Sequence, residues 1–489
     1  MLGTIFLTIL FALILPGCVL LQPTEPFKPV SPVEATGIAG TAPDPMTAPS
    51  QPSPAKEEVV PEALTLERSL EIALKKNPEV AATLWDVSVA GAKVDQAKAA
   101  RWPTLTYEGN YLKYLNSRPL YEARYNNQRR LFTKQQSLGS VLLKLPLFTG
   151  GRIINEIQAA ELFRLAEGNR LSRTRDELVF NVSSTFYAIL SQEKVIDSVR
   201  FSLQAMQEQR QKMAKMVEVA KAARVDLLRT EVRVADLEQS LEKETNLLEI
   251  QKRLIANLMG LDFDKARLKF TGKLIFEKVS YRPEQLVPSA LEQRADFLAA
   301  KERLESQARR VDVARAGHYP NVNLVGAYGY RGTGVFGVLD DRALPGKVPT
   351  ATNRGPFYDD DGSVGVTLTL PLFEGGRITG KVREEISALA AAQERLRKLN
   401  LQVRQEVETA ILDVDSSSER VKATEKAIEQ ARESLRIETL KYNLGAGVIT
   451  DVLDAQTALL LTETTYYRVL ADFYTALARL KLAVGGDLS

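Results

Sequence analysis

The chain is a duplication of one plan, and this repeat constrains the fold more than any other feature. The segment Leu145–Ile153, Leu-Pro-Leu-Phe-Thr-Gly-Gly-Arg-Ile, recurs as Leu370–Ile378 with Glu in place of Thr. The first and second copies are 225 residues apart. Two further landmarks recur in the same order: Trp102-Pro103 as Tyr319-Pro320, 217 residues apart, and Val225-Asp226-Leu227-Leu228 as Thr450-Asp451-Val452-Leu453, again 225 apart. We therefore expect two structural repeats, residues 64–284 and 285–489, which differ mainly by a loop insertion.

Very long helices are predicted in both repeats. Neither Gly nor Pro occurs from Asn169 to Met259 or from Lys381 to Leu444. In the second run, apolar residues recur at steps of three and four, which is the pattern of a coiled-coil seam: Val382, Ile386, Leu389, Leu396, Val403, Val407, Ala410, Val414, Val421, Ile428, Ala431 and Leu435. At 1.5 Å per residue this helix reaches roughly 95 Å. The glycines of Gly445-Ala446-Gly447 then permit a tight reversal, so a second helix returns.

Each repeat also contains two segments in which apolar and polar residues alternate, and these predict strands at about 104–114, 137–147, 321–330 and 363–372. In the last segment, Val364, Val366 and Leu368 share one face, whereas Thr367 lies on the other. Strands of roughly ten residues with one apolar face, with tyrosines near their ends, are typical of transmembrane β-strands. An ordinary soluble sheet shows the same alternation.

The connections between paired strands, 115–137 and 331–362, are long and polar, and we expect them to be solvated external loops. The second carries Asp340-Asp341 and Asp359-Asp360-Asp361. A plain run of aspartates lacks the spacing and the sharp turn of a metal cage, so no metal site is predicted.

The N-terminus has the features of a lipoprotein signal. An apolar run from Leu2 to Leu15 is too short to span a bilayer and is followed by Pro16-Gly17-Cys18. We predict a signal peptide over 1–17, lipidation of Cys18, which is the only cysteine, and a Pro-rich linker over 18–63. One departure from the usual pattern is that no Lys or Arg precedes the apolar run.

Composition argues against two classes of function. The net charge is +3 over 489 residues and the charges are interleaved, so nucleic acid is not an expected partner. No Walker loop or Gly-x-Ser-x-Gly segment occurs, and the single histidine, His318, is present in only one copy of the repeat. We therefore expect neither an enzyme nor a cofactor.

Four strands cannot close a barrel, and an open sheet edge is not tolerated in lipid. A membrane role therefore requires association of several copies. Three copies would give twelve strands and a lumen wide enough for water, although the sequence alone does not choose the number.

From about Leu64 to the C-terminus the chain resembles the outer-membrane efflux protein (TolC-like) family. The resemblance is carried by the repeated Leu-Pro-Leu-Phe-x-Gly-Gly-Arg-Ile segment, by Tyr442-x-x-Gly445 and by Val452-Leu453-Asp454-Ala455-Gln456. It implies a mainly α fold with membrane β-strands: a homotrimer with a twelve-stranded outer-membrane barrel and a periplasmic α-barrel of coiled-coil helices. It also implies a periplasmic adaptor that docks on the helical tips and an inner-membrane pump that drives transport.

The function implied is that of a passive, lipid-anchored exit duct in the outer membrane for tripartite efflux or type I secretion. The sequence does not distinguish between drugs, metal ions and proteins as the transported cargo. The alternative is a periplasmic adaptor, which also combines a coiled-coil hairpin with β structure but carries one hairpin between compact soluble domains.

The resemblance further implies a closed periplasmic end held by polar contacts near the tips. The candidate constriction residues are Asp454, Asp451, Asp226, Tyr442 and Arg229, with Asp454 the best candidate and helix N-caps the favoured reading of Asp226 and Asp451. The candidate adaptor contacts are Gly445, Gly447, Val448, Ala220 and Ala222. The first tip lacks the glycines of the second, which leaves the shape of its turn open.

Overall fold

The computed structural model describes residues 63–119, 132–262, 268–333 and 358–486. The predicted signal peptide, Cys18, almost all of the linker and Asp340-Asp341 lie outside the described residues. The first repeat comprises α1 Leu66–Lys76, α2 Pro78–Ala99, β1 Thr104–Pro119, β2 Phe132–Phe148, α3 Arg152–Glu218 and α4 Arg224–Leu258. The second comprises α5 Pro283–Gln293, α6 Ala295–Arg315, a 3₁₀ turn Ala316–His318, β3 Asn321–Thr333, β4 Tyr358–Thr369, α7 Arg377–Asn443 and α8 Ile449–Val484. The same order of elements occurs twice, which confirms the two repeats.

The long helices α3 and α7 have 67 residues each, so each is roughly 100 Å long. The central part of the predicted seam on α7 is buried, which confirms the coiled-coil prediction there: Val403, Val407, Ala410, Val414 and Val421. α8 covers this seam with apolar residues that include Val469, Phe473 and Leu480. The first repeat has its own core, in which α1, α2 and α4 pack on α3 around Phe186 and Ile189.

The segment between α4 and α5 joins the two cores. Phe270 packs edge-on against Phe186 of the first core, with ring centroids 5.8 Å apart. Phe276 packs against Phe473 of the second core at 5.1 Å. One short stretch of chain therefore pins both repeats together through aromatic burial.

The two glycines of the repeated Leu-Pro-Leu-Phe-x-Gly-Gly segment form the turn from strand to long helix. Gly150 and Gly151 have φ of 63° and 83°, and Gly375 and Gly376 have φ of 60° and 82°. A side chain at Gly150 would also place its Cβ 2.6 Å from the Cβ of Tyr319. The positive φ angles favour glycine at both positions, which explains why the Gly-Gly pair is present in both repeats.

In each repeat, the residue that separates the two short helices forms an elbow. This elbow holds the C-terminal end of α4 in the first repeat and of α8 in the second. In the first repeat, Asn77 Nδ2 donates to the carbonyl of Leu258 at 2.9 Å. In the second, Arg294 Nη1 donates to the carbonyl of Ala483 at 3.3 Å, and its Nη2 lies 2.5 Å from Glu406 on α7. The Arg294 side chain is 2% exposed and the Glu406 side chain is 52% exposed, so this ion pair fixes α7 to the elbow at the edge of the core.

The four strands form one antiparallel sheet in the order β1-β2-β3-β4. Its register places Leu105, Leu143, Gly326 and Val364 in one row, and Tyr107, Val141, Tyr328 and Gly362 in the next. Paired residues share a face, so one apolar face crosses the whole sheet, as the alternation predicts. This face is open: Leu105 is 70% exposed and Val364 is 84% exposed.

The strands extend further into the connecting segments than predicted. β1 and β2 continue to Pro119 and from Phe132, and β3 and β4 continue to Thr333 and from Tyr358. The backbone of Asp359–Asp361 is therefore paired with Arg331–Gly329 in β4, so the prediction of a loop was wrong there. Ladder hydrogen bonds are made by the backbone, so pairing continues where the side-chain alternation ends.

Within the ranges that the structure describes, no helix is both long enough and apolar enough to cross a membrane.

Candidate functional site at the helical tips

The turns that connect α3 to α4 and α7 to α8 have the same geometry. Ala220 has φ of 59°, and its counterpart Gly445 has φ of 72°. In the first turn the N–H of Lys221 donates to the Met216 carbonyl at 2.7 Å, and in the second the N–H of Ala446 donates to the Lys441 carbonyl at 2.9 Å. Both turns are Schellman motifs. The shape of the first tip, which the sequence leaves open, is therefore the shape of the second, with alanine in the left-handed position.

The prediction that Asp226 and Asp451 are helix N-caps was wrong. The N-caps are Ala223 and Val448, and neither makes a side-chain capping bond. Each helix begins two residues before its aspartate, at Arg224 and at Ile449, directly after the Schellman turn. Both carboxylates lie in the first helical turn, where the partial positive charge of the helix N-terminus favours them.

The ends of all four long helices pack into one apolar cluster, here called the tip cluster: Leu203, Met206 and Met213 of α3, Val234 and Leu237 of α4, and Ile449, Val452 and Leu453 of α8, with Leu435 and Tyr442 of α7 partly buried against it. α4 packs on α3, α3 on α8 and α8 on α7. Within one chain α3 and α8 are thus the central pair, and α4 and α7 are the two flanks.

Tyr442 brings three of the candidate constriction residues together. Its hydroxyl donates to the Sδ of Met213 at 3.8 Å. Burial raises the pKa of Tyr442, and the carboxylate of Asp226 raises it further. Asp226 in turn lies 3.7 Å from Arg229 Nη1. The tips of the two repeats are thus connected by a polar contact beside the apolar one.

Asp451 and Asp454 lie on a different surface. Both are exposed on α8, one turn apart, whereas Val452 and Leu453 between them are buried in the tip cluster. In one chain the structure therefore does not bring Asp454 to Tyr442. The candidate adaptor contacts form the turns themselves: Ala220, Gly445 and Val448 are exposed, and Ala222 and Gly447 are half-buried.

The net charges of the two tips differ, which the sequence motifs do not indicate but a count of charged residues does. From Glu208 to Arg229 the first tip has six basic and three acidic residues. The matching segment of the second repeat, Glu433 to Asp454, has two basic and four acidic residues. The two tips therefore have the same backbone geometry and net charges of opposite sign.

Comparisons with known proteins agree with this architecture. Outer membrane protein OprJ of Pseudomonas aeruginosa is 25% identical over 435 residues, which cover 86% of this chain and 84% of that protein. Outer membrane protein TolC of Vibrio cholerae is 22% identical over 317 residues, 65% of this chain and 69% of that protein. The crystal structure of the outer membrane protein VceC from Vibrio cholerae has a TM-score of 0.71 at 21% identity, with 87% of this chain and 97% of that chain covered.

The model of the outer membrane efflux protein family matches residues 69–261 and 286–486. One match falls on each structural repeat, and together they cover most of the chain. This protein belongs to the outer membrane efflux protein family.

Proposed function

We propose that this chain, an outer-membrane exit duct of efflux or secretion systems, works as a passive homotrimer. The observation that carries the proposal is the sheet. It presents an exposed apolar face on all four strands, and its two edges, β1 and β4, run antiparallel to one another. An edge β4 can therefore pair with an edge β1 of another copy, and three copies supply twelve strands. Each strand pair leads through a Gly-Gly turn into a 67-residue helix, so the helices continue the bore.

The proposed partners are a periplasmic adaptor at the tip turns and, through it, an inner-membrane pump. The exposed backbone at Ala220, Gly445 and Val448 provides the contact surface. The names of relatives point to different cargo: alkaline protease secretion for one protein of Pseudomonas aeruginosa and fusaric acid resistance for one of Burkholderia cepacia. A passive duct fits this variety, because the pump that engages it selects what enters.

The closed end is proposed to lie at the tips. Asp451 and Asp454 are the carboxylates exposed in the first turns of α8, and three copies would place six of them around one axis. The carboxylates in such a ring attract cations and repel one another, so small movements of the tips change the conductance. The contact of Tyr442 with the α3–α4 tip, where Asp226 pairs with Arg229, holds the two tips of each chain together in this state.

Lipidation of Cys18 is proposed as a second attachment to the outer membrane. One acyl chain gives only marginal anchoring on its own. Its role is therefore to deliver and orient the chain before the strands insert.

Charge placed on the two faces of β4 tests the function. Leu368 pairs with Val322 on the apolar face, and its neighbour Thr367 pairs with Asn323 on the other. If the apolar face contacts lipid, Leu368→Arg should cost about 2–4 kcal/mol near the midplane, and Thr367→Arg should be tolerated. The measurement is the yield of detergent-resistant oligomer in outer-membrane fractions. Equal yields from the two variants would argue for a soluble sheet and against the duct.

A further inference from the structure

The two repeats differ in what covers their first short helix. α1 and α5 are matched helices of 11 residues each, and their elements begin 217 positions apart. In the first repeat, the segment that follows α4 joins the core around α1, and its Leu268 is 6% exposed. Leu64 and Ile72 are buried in the same core, whereas their counterparts Tyr281 and Ser289 are only half-buried. The place that this segment covers in the first repeat is therefore accessible in the second.

Strand pairing holds the covering segment in the first repeat. The N–H of Leu64 donates to the carbonyl of Lys269 at 2.8 Å, and the N–H of Thr271 donates to the carbonyl of Leu64 at 2.9 Å. Leu64 thus forms a parallel bridge with Phe270. Among the described residues, no group pairs with the backbone N–H or carbonyl of the counterpart Tyr281. One donor and one acceptor are available there to an extended segment.

A cavity of about 470 Å³ lies beside Tyr281, which is within the size range of pockets that bind ligands. Val484, which is 1% exposed, contributes an apolar surface to it, as the counterpart Met259 does to the first core. The other side chains that line the cavity include Gln285, Ser289 and Gln293. The second repeat therefore has a mainly polar cavity where the first repeat has an apolar contact.

The charge of this cavity favours an anionic ligand. Arg282, which lines it, stands at the position of the neutral Thr65 in the first repeat. In the part of the chain that the structure describes, Arg282 makes no ion pair, and none of the residues that line the cavity is acidic. A guanidinium group binds a carboxylate through two parallel hydrogen bonds, so an acidic side chain suits this place.

The extended segment that the structure describes, residues 268–282, is held within its own chain. Phe270 and Phe276 pack on the two cores, and the hydroxyl of Tyr474 donates to the carbonyl of Ile275 at 2.6 Å. A neighbouring copy could supply this segment only by losing these contacts. The cavity is also far from the tips, because α8 runs for 36 residues, roughly 54 Å, between the tip turn and Val484. These facts favour a separate protein, other than the partner proposed at the tips.

We propose that the cavity beside Tyr281 and Arg282 binds an extended acidic segment of a separate protein. The backbone of that segment pairs with Tyr281 as Lys269 and Thr271 pair with Leu64, and one of its carboxylates binds Arg282. The site is an interaction surface beside the second core, and it does not depend on how the tips close.

Peptide binding tests the charge preference. One labelled peptide has the sequence of residues 266–273, Ala-Arg-Leu-Lys-Phe-Thr-Gly-Lys, and the other has Glu in place of its three basic residues. Fluorescence anisotropy with the purified full-length protein should show that the acidic peptide binds roughly tenfold more tightly. Arg282→Glu should reverse this preference. Lys278→Glu reverses an equal charge on the same segment outside the cavity, and it should leave the preference in place.

Two results would overturn the charged contact. One is equal binding of the two peptides to the parent protein. The other is an equal effect of Arg282→Glu and Lys278→Glu, since the attraction would then be a diffuse property of the surface.

N-methylation of the acidic peptide tests the strand pairing. A methyl group on the nitrogen at the Thr271 position removes the donor for the Tyr281 carbonyl and should weaken binding roughly fivefold. At the Phe270 position the N–H points to the other side of the strand, so methylation there is the control and should have little effect. Equal losses at the two positions would contradict strand pairing. The mass of the particle is measured in parallel, and release of subunits by the peptide would show that a neighbouring copy occupies the cavity, which overturns the separate partner.

Discussion

Replacing Ala220 with glycine should stabilise the first helical tip. Ala220 has φ of 59°, in the left-handed region, where its Cβ approaches the following carbonyl oxygen. That strain costs a non-glycine residue about 1–2 kcal/mol. Glycine relieves it but adds about 0.4–1 kcal/mol of chain entropy in the unfolded state. The expected net gain is roughly 0.5–1 kcal/mol at this one turn.

The second tip provides the reverse experiment. Gly445 has φ of 72°, and no other atom lies within 4 Å of a Cβ added there. Gly445→Ala therefore introduces the conformational strain without a clash, and it should destabilise the second tip by roughly the amount that Ala220→Gly stabilises the first. Equal and opposite effects would show that backbone conformation, and not packing, sets the stability of these turns.

Hydrogen exchange of tip peptides is the suitable assay, because a change of this size hardly moves the melting temperature of a chain this long. The amides of Ala220 and Lys221 donate to the carbonyls of Val217 and Met216 and are protected only while the turn is closed. A gain of roughly 0.5–1 kcal/mol slows their exchange about two- to fivefold. Unchanged or faster exchange in Ala220→Gly would refute the reasoning, since the turn would then be limited by something other than the left-handed residue.

Three further predictions concern the proposed closed end, the predicted lipid anchor and a half-buried acid. Asp454→Ala should alter the conductance or cation selectivity of the purified protein in planar bilayers, whereas Asp340→Ala in the predicted external loop should not; unchanged values would remove Asp454 from the constriction. Cys18→Ser should abolish incorporation of labelled fatty acid and leave the strands able to insert, and labelling that persists would contradict lipidation of Cys18. Burial raises the pKa of Asp176, although Arg173 opposes the rise, so the ionised carboxylate destabilises the fold above that pKa and the penalty disappears as pH falls through it. Asp176→Asn should therefore have a higher free energy of unfolding than the parent in denaturant titrations at about pH 8, with the difference closing towards about pH 4, and a difference that stays constant would contradict this.

The family match also decides between the two functions that the sequence leaves open, in favour of the duct over the periplasmic adaptor.

The predictions that rest on short-range residue patterns are confirmed. The alternation that places Leu368 and Thr367 on opposite faces and the heptads through Val403 and Val414 both have the side-chain orientation observed. These features follow from the geometry of a single strand or helix, so the sequence carries them directly.

Two predictions were wrong, namely the N-caps of the returning helices and the loop at Asp359–Asp361. Asp226 and Asp451 have the side chains of good N-caps, yet the turn before each helix places the cap at Ala223 and Val448 instead. The strands continue through Asp359–Asp361 because a facing strand is present to bond their backbone. The preceding turn sets the position of each cap, and the facing strand sets the length of β4, so neither outcome follows from the preferences of the aspartates themselves.

The sequence by itself determined the two repeats, the kinds of element in each and the Gly-Gly turns between strand and helix, because spacing and backbone conformation are properties of the chain alone. Only the tertiary structure decided that the two tips share one apolar cluster, that Ala220 adopts the conformation of a glycine, and that Arg294 is buried against Glu406. The tip cluster and the Arg294–Glu406 pair join residues far apart in sequence, so their free energy exists only once the helices pack together. The turn at Ala220 is local, but an alanine in the sequence gives no sign of a left-handed backbone, because that conformation is normally the property of glycine.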